Sequence, residues 1–175
     1  MRRFLDGIYL GAGWLSAGFI LAIACLVSAQ VLLNFSTRVL GLPLPATIPS
    51  YADFAGFMLA GATFFAMPYT FRSAGHIRVS LVVARLPARA RLMVELAVLA
   101  LAAALVGYAC WYVVALIRES LHFGDVSGGM IPVPLWIPQT GMGIGLGLLL
   151  VAVIHTLVET WASGRAVIDD TSEEI

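Results

Sequence analysis

The chain has 175 residues, of which 61% are hydrophobic and 11% charged, against about 45–50% and about 25% in an ordinary soluble domain. Ten basic and ten acidic side chains leave a formal net charge of zero, so no overall charge points to nucleic acid or to an acidic substrate. The composition is that of a chain built for lipid.

Four runs, 7–37, 54–71, 96–117 and 126–154, contain no Asp, Glu, Lys, Arg or His, and a spanning helix needs about 20 such residues. The expected fold is an all-α membrane protein in one integral membrane domain, residues 1–175, with spans at about 13–35, 53–71, 95–121 and 138–160. Arg2 and Arg3 precede the first span, Arg72, Arg78, Arg85, Arg89 and Arg91 lie between the second and third, and Arg165 follows the fourth. Arg38 and Arg118 occupy the other side. This asymmetry predicts both termini and the middle segment in the cytoplasm.

Span one carries Gln30 and Asn34, whose i, i+4 spacing sets them on one helical face. There they either hydrogen-bond a neighbouring helix or meet water near the outer interface. Cys25 and Cys110 both fall in spans, far apart in sequence, and read as small packing residues. "LAIAC" at 21–25 has the look of a lipoprotein cleavage box, but the apolar run continues to Phe35, longer than a signal-peptide core. A retained first helix is expected. Pro43, Pro45 and Pro49 then exclude a helix interior and favour an extended connector.

Span two contains Pro68, expected to kink its last turn. Beyond it, "HIRVSLVVARL" alternates charge with Ile77, Val79, Leu81, Val82, Val83 and Leu86. As a helix it would put Arg78, Arg85 and Arg89 on one stripe, so a short amphipathic interfacial helix is expected at about 77–86, with Pro87 opening the helix that becomes span three. Arginines with no interleaved aromatics suit lipid headgroups better than stacked bases. Before span four, "SGGMIPVPLWIPQ" places Pro138 to start the helix and Trp136 at the outer interface. "GMGIGLG" follows, with Gly141 and Gly145 on one face and Gly143 and Gly147 on another. Small residues four apart let helix backbones approach closely. The tail "DDTSEEI" reads as a solvated end.

Chemistry is sparse. His76, His122 and His155 stand at span borders, as interfacial groups rather than haem ligands facing one another. No H-E-x-x-H, G-x-S-x-G or phosphate loop is present. No cofactor, metal or catalytic residue is expected. Ion-coupled carriers place ionisable side chains inside the membrane, whereas here Asp53, Glu95, Glu119 and Glu159 all lie at span ends. An accessory subunit is therefore the expected role.

"RSAGHIRVSLV" at 72–82 with "LP" at 86–87, and later "SGGMIPVPLWIPQTGMGIGL", resemble the small membrane subunit of TRAP (tripartite ATP-independent periplasmic) transporters, the DctQ-like proteins. The chain departs at Ser80, where the family commonly has an acid, and offers only Asp53 where paired acids often precede helix two. The resemblance implies a bacterial inner-membrane subunit that braces a large transport subunit. It also implies sodium-coupled uptake of organic acids delivered by a periplasmic solute-binding protein. Arg72, His76, Arg78, Arg85, Arg89, Pro134, Trp136 and Pro138 are the expected contacts to membrane lipids and partner, and Gln30, Asn34, Gly141 and Gly145 the expected helix-packing residues. Two other classes stay open from the sequence: a membrane anchor for a redox enzyme, and a self-contained small exporter.

Overall fold

The computed structural model describes residues 2–73 and 87–164. Among the described residues there are four helices: α1, Arg2–Arg38; α2, Tyr51–Arg72; α3, Ala88–Phe123; and α4, Trp136–Ser163. All four are long and apolar enough to cross a membrane. In hydrocarbon every backbone N–H and C=O must be satisfied within the segment, which leaves the helix as the form for such runs.

The ends have local causes. α1 stops at Arg38, just before Gly41, Pro43 and Pro45. α3 begins directly after Pro87, whose extended backbone occupies the N-cap and whose carbonyl accepts the Arg91 amide. α3 and α4 close on Gly124 and Gly164, both at positive φ, where each amide bonds a carbonyl four residues back. Only glycine takes that turn without a Cβ penalty. The helices outrun the expected spans: α1 starts near the amino terminus rather than at residue 13, and α4 starts at Trp136 rather than Pro138. With 37 and 36 residues, α1 and α3 measure about 55 Å, while the 22 residues of α2 give about 33 Å.

The helices stand in the order α1, α2, α4, α3, with the main packing between successive members. α2 and α4 form the centre and α1 and α3 the flanks. In the α1–α2 seam the Ser16 hydroxyl donates to the Ala62 carbonyl at 2.6 Å, the Phe19 ring lies over Gly61, and Phe19 and Phe65 stack at 6.3 Å. In the α3–α4 seam Gly143 faces Val113 and Ile117. The tightest approach joins α2 to α4. A Cβ built on Gly145 would lie 2.6 Å from both the carbonyl carbon and the oxygen of Phe64.

That approach has a partner in the sequence. Pro68 lies inside α2 and is buried. It has no N–H to offer the Phe64 carbonyl one turn back, so this oxygen lacks its helical donor and faces the Gly145 backbone. A Cα–H···O contact suits such a pairing. Gly141, on the same face of α4, lies farther out, its built Cβ 3.9 Å from the Phe65 ring.

Candidate functional site

Ion pairs gather at one end of the helix bundle. At the end holding the amino terminus, Arg72 in the last turn of α2 engages α4 and α1 together. Its Nη1 donates to Glu159 Oε2 at 2.9 Å and to Thr156 Oγ1 at 3.0 Å. Nη2 faces Asp6 Oδ1 at 3.6 Å. His155 Nε2 stands 3.5 Å from the other Glu159 oxygen. The Thr156 hydroxyl accepts from Arg72 while donating to Ala152 O at 2.9 Å, so both its roles are used. Tyr9, in the second turn of α1, is fully buried.

The Arg72 and Glu159 side chains are 14% and 19% exposed, shielded enough that each depends on the other. Neutralising one charge would leave the second with an uncompensated desolvation cost. The arrangement is a closed latch: its chemistry holds three helix ends in register rather than presenting a free carboxylate to a passing ion.

The hydrogen bonds at the opposite end are made by neutral groups. Buried Gln30 uses both ends of its amide on the α1–α2 connector: Nε2 donates to Thr47 Oγ1 at 3.0 Å and Ala46 O at 3.3 Å, and Oε1 accepts the Ile48 amide at 2.7 Å. Residues 125–135 fold into a small hairpin-like turn, with a Val126–Pro134 bridge and bonds from Ser127 N to Val133 O and Leu135 N to Asp125 O. This turn docks on the start of α2, where Ser50 Oγ accepts the Ile131 amide at 2.8 Å and Gly129 lies against the Asp53 carboxylate and Ser50 hydroxyl, which would have to move to admit a Cβ. Gln30→Ala is expected to free 46–48, costing about 1–3 kcal/mol for the unmet Ile48 amide. Faster hydrogen exchange at Ile48, with the α2–α4 seam unchanged, checks it.

Residues 23–163 match the family model for tripartite ATP-independent periplasmic transporters, DctQ component. The chain belongs to the DctQ family. A search among curated proteins finds no match to it. As a DctQ component it is a multi-pass membrane protein and the small membrane component of a TRAP transporter.

Within this DctQ chain the expected contact residues separate. Arg72 forms the latch, Arg89 is exposed in the first turn of α3, and His76, Arg78 and Arg85 lie outside the described residues, as does the expected interfacial helix at 77–86. Pro134 belongs to the turn at 125–135, Trp136 opens α4 with its side chain exposed, and Pro138 lies in the first turn. Gln30 bonds a connector rather than a neighbouring helix, and Asn34 donates to the Gln30 carbonyl of its own helix. Gly145 meets α2; Gly147 meets nothing within 4 Å.

Sequence reasoning missed Asp6, His155, Thr156 and Glu159 as latch members, and Ser50, Asp53 and Gly129 as the clasp at the opposite end. A signal for the first group existed. In alternating spans the carboxyl-terminal ends of α2 and α4 share a membrane side, and Arg72 and Glu159 lie near those ends. Among the described residues no group of three or more His, Cys, Asp or Glu is placed to hold a metal ion. Cys25 and Cys110 are free thiols, the first exposed and the second half-buried.

Proposed function

We propose that this DctQ component is a static brace for the large membrane subunit of a sodium-coupled importer of organic acids, which a periplasmic solute-binding protein supplies. It sits in the bacterial inner membrane with both termini cytoplasmic. Arg72, His76, Arg78, Arg85 and Arg89 mark the cytoplasmic side, and Pro134, Trp136 and Pro138 the outer interface, where Trp is favoured.

The supporting observation is where charge stands. The long apolar runs carry no Asp, Glu, Lys, Arg or His, and the Arg72–Glu159 pair is consumed in joining helix ends. A path for an ion or a charged acid requires ionisable or coordinating groups at mid-depth, whereas a brace requires fixed depth and rigid packing. The Gly145–Phe64 approach supplies the second.

The test is reconstitution. Vesicles containing this chain alone are expected to show no sodium-dependent uptake, and the chain is expected to co-purify with a much larger membrane protein in mild detergent. Uptake by the lone chain, or a stable isolated homodimer under native expression, would overturn the reading.

A further inference from the structure

Between α1 and α2, beside the latch, runs an open apolar groove of about 220 Å³ lined by Leu10, Gly13, Trp14, Ala17 and Tyr69. The four α1 residues follow an i, i+3, i+4, i+7 spacing, so they form one stripe about 10 Å long. Asp6 precedes Leu10 by one turn on that stripe, and Arg72 follows Tyr69 by three residues on α2. The groove therefore ends at the Asp6–Arg72 contact. Asp6 is 46% exposed there.

We propose that this groove is a binding site for one phospholipid with a primary ammonium headgroup, of the phosphatidylethanolamine class. The proposal rests on the membrane reading of α1 and α2 and is independent of the bracing role. An acyl chain lies along the apolar stripe over the small, exposed Ala17, beside the Tyr69 ring that packs on Gly13. Trp14 and Tyr69, exposed at the groove wall, are the side chains favoured at headgroup depth.

Charge selects the headgroup. The Asp6 carboxylate, 46% exposed and 3.6 Å from Arg72 Nη2, is open to a second cation on its exposed side. An ethanolamine ammonium offers three N–H donors to it; a choline offers none and a glycerol headgroup carries no cation. Arg72 Nη2, at 3.6 Å from Asp6, lies beyond hydrogen-bond range of that oxygen. It remains a donor for the adjoining phosphodiester, a charge-assisted pairing suited to guanidinium.

The experiment purifies the full chain, exchanges it into mixed micelles of equimolar phosphatidylethanolamine, phosphatidylcholine and phosphatidylglycerol, and quantifies retained lipid by native mass spectrometry. Enrichment of the ethanolamine lipid by about fivefold is expected, the factor one interfacial charge contact yields. Ala17→Phe, at an exposed position, fills the groove and is expected to abolish retention of all three. Asp6→Asn is expected to keep a lipid but lose the ethanolamine preference, with helicity and elution volume unchanged in both variants. Equal retention in Ala17→Phe, or an unchanged preference in Asp6→Asn, would overturn the proposal. So would unchanged lipid together with lost binding of the large subunit in Ala17→Phe, since the groove would then be a protein contact.

Discussion

Gly145→Ala is expected to force α2 and α4 apart and lower stability by about 1–3 kcal/mol, the range for inserting a methyl into a packed core. The upper part of that range applies because the obstruction is backbone. The new Cβ would meet the Phe64 carbonyl at 2.6 Å and the Phe64 Cβ at 2.8 Å, and no rotamer change can move those atoms. Thermal unfolding in detergent measures the loss. Gly147→Ala is the matched control: its Cβ would meet nothing within 4 Å, and alanine is the better helix former by about 1 kcal/mol. If the two substitutions shift the midpoint equally, the α2–α4 approach is not the tight contact described.

Arg72→Ala is expected to cost about 2–3 kcal/mol, below the about 3–5 kcal/mol for breaking a fully buried pair because both side chains keep some solvent access. The loss has two sources. Glu159 and Thr156 lose their shared donor, and Asp6 loses the cation that holds the start of α1 beside α2. The paired exchange Arg72→Glu with Glu159→Arg restores the attraction across α2 and α4 but sets the carboxylate introduced on α2 against Asp6. It is therefore expected to recover only part of the stability. A double-mutant cycle on unfolding midpoints reads the coupling directly; a coupling near zero would make the latch a surface ornament.

The four helices were legible because their cause is local: uncharged runs long enough to cross lipid, bounded by prolines, glycines and arginines. The glycine rhythm was legible to the level of faces. Gly141 and Gly145 share one face and Gly143 another, and the structure turns the first toward α2 and the second toward α3. Sequence could not say which helix each face meets, because helix order in space is set by packing between elements far apart in the chain. For the same reason Pro68, expected to kink α2, could not be paired with Gly145.

The latch was less legible. Arg72 drew notice as part of an arginine-rich segment, while its partners stood as isolated acids at span ends, each indistinguishable from a solvated terminus. Gln30 was visible as an unusual polar residue, but its partners are main-chain groups of a connector, and a sequence pattern carries no mark of which backbone an amide will meet. The turn at 125–135 is held by cross-bonds among ordinary residues, without a two-residue hairpin signature.

The order α1, α2, α4, α3 makes damage tolerance lopsided. Among the described residues the shortest helix, α2, takes part in the Ser16 bond, the Gly145 approach, the Arg72 latch and the clasp at Ser50 and Asp53. α3 leans mainly on α4. A lesion in α3 therefore loosens one wall and leaves the remaining three helices joined, whereas a comparable lesion in α2 removes the post to which both neighbours are nailed.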